Sequence, residues 1–127
     1  MNITSIGTNY TPLRSFQSFR AQVFKTNEGS GIDTILYEAQ GYDRPKEKPA
    51  DYKYLYEQIN KILPKKSDEV IFKNIECLYP TIYTIEGEVK HNGKVSQFST
   101  SFSCCKLGSN GVVRDIVATI EDTLKNS

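Results

Sequence analysis

The stretch KHNGKVSQFSTSFSCCK, Lys90 to Lys106, concentrates the reactive side chains of this chain: the only histidine, His91, and two of the three cysteines, Cys104 and Cys105. With Cys77 they make one imidazole and three thiols, the ligand count of a structural zinc site. The same stretch argues against one. Asn92-Gly93 predicts a two-residue type I′ turn, which pairs His91 with Lys94 and makes facing positions sum to 185. Cys104 then lies about ten residue pairs down the hairpin, roughly 30 Å from the turn at about 3.3 Å per residue. Zinc ligands must all lie within about 2.3 Å of one ion. No metal and no cofactor is expected.

The same separation keeps the imidazole away from a cysteine nucleophile, which needs a base within hydrogen-bond reach. Ser96, Ser99, Ser101 and Ser103 are plentiful, yet none sits in a glycine-flanked nucleophile elbow. Glu86 and Glu88, two residues apart, project from one strand face about 6–7 Å from each other and read as surface charges rather than a catalytic pair. Neither a phosphate-binding Gly-x-x-x-x-Gly-Lys loop nor a Gly-x-Gly-x-x-Gly turn occurs. The expectation is a non-enzymatic protein with no catalytic residues. A thiol-dependent enzyme is the second alternative, resting on the Cys104-Cys105 doublet. Read as strand residues, one of the two points inward and one outward. Either is within reach of Cys77 at the open end of the hairpin.

The elements that position these residues follow from periodicity. Around the turn, Val89 should face Ser96, Gly87 Phe98, Ile85 Thr100 and Tyr83 Phe102 on an apolar face. Lys90, Glu88, Glu86 and Thr84 should meet Val95, Gln97, Ser99 and Ser101 on a solvated one. Tyr52, Leu55, Tyr56, Ile59, Ile62 and Leu63 fall on one helical stripe, with Lys53, Glu57, Gln58, Asn60 and Lys61 opposite and Pro64 as the stop. Val113, Ile116, Val117, Ile120 and Leu124 mark a second helix with Asn110 as its N-cap, and Arg114, Asp115, Glu121 and Asp122 facing away. Ser67–Tyr79 suits both periods and is read as a third strand, which the sheet needs. Phe16–Phe24 and Ile32–Gln40, around a glycine-bearing loop, read as an N-terminal hairpin, the second run fitting a short helix equally well.

The fold class expected is α+β: an antiparallel sheet built on the hairpin Tyr83–Phe102 and its neighbours, with two helices packed on one face. Residues 1–15 read as a flexible N-terminal arm and 16–127 as a single domain. At 127 residues such a domain buries about two-thirds of its unfolded surface and needs no staple. Sixteen Lys and Arg against fifteen Asp and Glu give a net charge of +1, so whole-molecule charge selects neither nucleic acid nor an anionic membrane. Three cysteines and no signal-peptide core suggest a reducing, cytoplasmic setting. The acid-free stretch before Glu28 leaves export through a disordered leader as the alternative.

From Ala50 onward the order helix, three antiparallel strands, helix resembles the double-stranded RNA-binding domain, and YTIEGEVKHNGKV is similar to that family's middle hairpin. The resemblance implies a phosphate-gripping lysine cluster at the start of the last helix. Here that stretch is GSNGVVRDI, where Arg114 is the only base and Asp115 adjoins it. RNA is therefore the alternative partner, with Lys65 and Lys66 its test residues. The leading expectation is a protein partner, with no membrane, in an adaptor, inhibitor or secretion-associated role. Its binding residues are Lys53, Tyr54 and Lys61 on the helix face and Glu86, Glu88, Gln97 and Ser99 on the open sheet face. Eight tyrosines and no tryptophan, with Tyr54 outside its helix's apolar stripe, favour an interaction surface. A sheet edge offers a route to a homodimer.

Overall fold

Asn92 and Gly93 set the register of the hairpin at the centre of the fold. In the computed structural model, which describes residues 11–12 and 21–126, both take positive φ, 55° and 81°. This is the turn geometry whose twist matches the flanking strands. Strands β4 (Ile82–His91) and β5 (Lys94–Ser103) pair without a slip, from His91 against Lys94 to Ile82 against Ser103. Every cross-strand partner read from the sequence is found. Ile85, Val89, Phe98 and Phe102 are buried on one face, whereas Glu86, Gln97, Ser99 and Ser101 are exposed on the other. Phe98 lies over Gly87 and meets Phe72 edge-on, with centroids 6.0 Å apart. A Cβ at Gly87 would lie 2.3 Å from the Ile71 carbonyl oxygen and 2.6 Å from the Phe98 ring, so only glycine fits there.

Strand β3 (Glu69–Tyr79) pairs antiparallel with β4, as the strand reading of Ser67–Tyr79 required. A bulge at Lys73 shifts the register between Phe72 and Asn74. Thr26 closes on it, its backbone amide donating to the Phe72 carbonyl at 3.0 Å and its hydroxyl to the Lys73 carbonyl at 2.8 Å. Strand β2 (Gln22–Lys25) runs parallel to β3, and β1 (Thr11–Pro12) pairs antiparallel with β2. The five-stranded sheet has the order β1-β2-β3-β4-β5. The rest of the arm read over residues 1–15, and most of the Phe16–Phe24 run, lies outside the described residues.

The N-terminal hairpin is corrected. Its second run is helix α1 (Ile32–Ala39), because Ile32, Ile35, Leu36 and Ala39 make a single buried helical stripe. Parallel neighbours such as β2 and β3 need a crossover. Helix α1, a 3-10 turn at Gln40–Tyr42 and helix α2 (Tyr52–Ile62) supply it. The Asp51 side chain caps α2, accepting from the Tyr54 amide at 2.9 Å. Leu55, Tyr56, Ile59 and Leu63 are buried as expected. Asn60 is buried too, against expectation, with its side-chain amide donating to the Tyr56 carbonyl one turn back at 2.9 Å.

Helix α3 (Cys104–Lys125) starts six residues before the expected Asn110 and is broken at Gly108, whose φ of 68° and ψ of 173° are not helical. The cysteine doublet therefore opens a helical turn instead of ending a strand, yet one thiol still points in, Cys104, and one out, Cys105. Val113, Ile116 and Ile120 bury the main segment, and the Thr100 hydroxyl donates to Asp115 at 2.6 Å, tying α3 to the buried face of β5. Asp115 thus does not face away as expected. Asn110 is not the cap either. Asp43 takes that role from outside the helix, accepting from the Asn110 amide at 3.1 Å and from the Ser109 hydroxyl, while the Asn110 side chain donates to the Lys48 carbonyl. The fold is α+β, a mostly antiparallel sheet with one parallel pair and its helices on one face, with α1 a third helix beyond the two expected. Among the described residues no helix is long and apolar enough to cross a membrane.

Candidate functional site

The helical face expected to bind is formed where the first turn of α2 meets the loop that precedes it and helix α1. Tyr54 is 39% exposed, as its place outside the apolar stripe implies. Its neighbour Lys53 stands between two adjoining depressions. One, of about 550 Å³, is lined by Glu47, Lys48, Pro49, Tyr54 and Glu57. The other, of about 410 Å³, is lined by Asp33, Leu36, Tyr37, Gln40 and Tyr52. Tyr37 is 75% exposed. It projects from α1, so reading that run as a strand hid it; the 3.6-residue spacing of Ile32, Ile35, Leu36 and Ala39 was the signal that places it outward. Beneath the second depression Lys25 pairs with Asp33 at 2.8 Å and sits 4.5 Å over the Tyr52 ring. Burial, with the nearby Asp33 charge second, raises the Tyr52 phenol above its ordinary pKa. Lys61 is exposed two turns further along α2 and lines neither depression.

The other expected set, Glu86, Glu88, Gln97 and Ser99, lies on the open sheet face. Glu86, Gln97 and Ser99 line a shallow groove of about 530 Å³ with Glu28, Lys73 and Asn74. Both strand carboxylates are held by β3: Lys73 Nζ is 3.1 Å from Glu88, which lies outside the groove, and the Asn74 amide donates to Glu86 at 3.2 Å. The structure thus joins Lys53 with Tyr54 and Glu86 with Gln97 and Ser99, in two separate places.

The reactive residues of the opening stretch fall at opposite ends of the hairpin. His91 Nδ1 is 2.8 Å from Asp68, whose side chain is 0% exposed. Asn92 adds a backbone amide to Asp68 at 3.4 Å, and Lys65 Nζ donates to the Asn92 side chain at 2.9 Å. The pair anchors the hairpin tip to the loop before β3. Sequence reasoning missed it because nothing in PKKSDE distinguishes a buried aspartate from a solvated one. At the far end the three thiols are free. Burial, with the Glu38 charge second, raises the Cys104 thiol pKa. The Ser103 hydroxyl at 3.2 Å and the Thr81 hydroxyl at 3.5 Å lower that of exposed Cys105. Tyr83 closes this end, donating to Glu38 at 2.7 Å, a bond that raises its phenol pKa. Among the described residues no three His, Cys, Asp or Glu side chains gather as a metal site.

The start of the main segment of α3 is where the RNA-binding resemblance implies lysines. Here the carboxylate of Asp43 occupies the helix amides. No family model matches the chain, and no curated protein or solved structure is found to be similar to it.

Proposed function

We propose that this chain is a small non-enzymatic protein-protein binding module, of the adaptor, inhibitor or secretion-associated kind, that engages its partner through the face of α1 and α2 around Lys53. One observation carries the reading: two exposed tyrosines, Tyr37 and Tyr54, flank a lysine that stands between two adjoining depressions rimmed by Asp33, Glu47 and Glu57. Tyrosine supplies a large rigid contact area with a polar tip at little entropic cost, which suits it to interface centres. The mixed charges of the rim give such a surface direction and register rather than bulk affinity. The open face bearing Glu86, Glu88, Gln97 and Ser99 is the second contact area.

The test is partner retention by variants. Tyr54→Ala should lose most of the bound partner, an effect of about tenfold or more in affinity for a central aromatic, with an unchanged circular dichroism spectrum. Glu88→Lys reads out the open face in the same way. Retention at the wild-type level by both variants overturns the assignment. Duplex RNA is the competing partner; binding that falls steeply with salt and weakens on charge reversal at Lys65 and Lys66 would replace a protein with a polyanion.

A further inference from the structure

Natural sheets guard their edges with bulges, prolines, inward charges or short strands. Strand β5 has none of these. It is ten residues long, pairs with β4 without a register shift, contains no proline, and carries one charged residue, Lys94, at its very end. Among the described residues it closes the sheet with nothing on its outer side. Its hydrogen-bonding phase is fixed at both ends. The two-residue turn makes His91 and Lys94 a hydrogen-bonded pair. At the other end the Cys104 amide donates to the Thr81 carbonyl at 2.9 Å. Even-numbered residues of β5 therefore point their backbone groups at β4, and Val95, Gln97, Ser99, Ser101 and Ser103 point theirs outward.

We propose that this edge pairs with β5 of a second copy of the chain, antiparallel about a twofold axis at Ser99, joining two sheets into one. The strand is complementary to itself in that register. On the open face Ser99 meets Ser99, Gln97 meets Ser101 and Val95 meets Ser103, all small or hydroxyl-bearing apart from one amide and one valine. On the helix face Phe98 falls beside Thr100 and Phe102 beside Ser96, so each ring has a small neighbour. All five outward residues find partners, giving about ten backbone hydrogen bonds. The two Lys94 residues end about 33 Å apart, so no like charges oppose each other along the paired strands. Helix α3 touches the edge strand where Thr100 donates to Asp115, and beside Ser96 and Phe98 it leaves a groove of about 600 Å³, lined also by Thr119, Asp122 and Thr123. A foreign strand would need a charge or size code to be selected, and the outward side chains of β5 supply none. The pairing is independent of the tyrosine face, which lies on α1 and α2.

Sedimentation of the full chain over a wide concentration range tests this. The wild type should pass from monomer to dimer, and Ser99→Pro should weaken the dimer by about thirtyfold, since a proline on the axis deletes two intermolecular N–H donors and no bond to β4. A monomeric wild type throughout, or a variant that dimerises as well as the wild type, overturns the proposal. Amide exchange on the wild type reads the same claim without a variant. Exchange at Gln97, Ser99 and Ser101 should slow as concentration rises while that at Ser96 and Phe98 stays constant; concentration-independent exchange at all five contradicts it.

Discussion

A carboxylate contributed from a loop does the work that a local cap does elsewhere. Burial raises the Asp43 pKa, but hydrogen bonds from the Ser109 hydroxyl and the Asn110 amide outweigh it and hold the carboxyl below its ordinary value. A folded pKa lowered in this way means stability that is complete above the unfolded value of about 3.9 and is lost as pH falls through the lower folded one. Asp43→Ala should destabilise the fold by about 1–2 kcal/mol at neutral pH in urea unfolding, the range for loss of an N-cap. The gap between variant and wild type should narrow below about pH 4 as the wild-type carboxylate is protonated. A gap that does not change with pH would show that Asp43 acts only by packing. The cysteines separate by environment in the same way. A thiol reagent near neutral pH should label Cys105 well before Cys104, and Ser103→Ala should slow that labelling. Equal rates at the two positions would contradict the hydrogen-bonded setting of Cys105.

At the scale of elements, what local chemistry dictates was legible and what distant contacts dictate was not. Asn92-Gly93 fixed the register of twenty strand residues, and the stripe from Tyr52 to Leu63 fixed α2. Asn60 was misplaced because one polar residue near the stripe edge can turn inward once its amide finds a carbonyl on its own helix. Helix α1 was ambiguous because eight residues satisfy both periods, and the parallel pairing of β2 with β3 decides it only in three dimensions. The cap on α3 was invisible for the same reason, since Asp43 is 67 residues before Asn110. Where the register was legible, its consequences can be tested. Gly87→Ala should destabilise by about 1–3 kcal/mol through overpacking of Phe98 and the Ile71 carbonyl. Thermal unfolding at the wild-type midpoint would mean that the strand pair relaxes freely, against a register held by Phe98.

For the whole molecule, two of the seven expected contact residues meet at the proposed centre. Lys53 and Tyr54 share one face, with Tyr37 added by the fold, whereas Lys61 stands apart and the open sheet face forms a separate patch. Balanced charge and an aspartate on the amides of α3 both disfavour a polyanion, and the exposed tyrosines favour a protein. The most direct measurement of that central claim is affinity capture from the native cell lysate on wild-type and Tyr54→Ala protein, each with and without nuclease, read by mass spectrometry. A protein-binding module should capture a discrete protein that survives nuclease on the wild type and is lost from the variant. Ribonucleoprotein that vanishes with nuclease, or a protein retained equally by both, would contradict it.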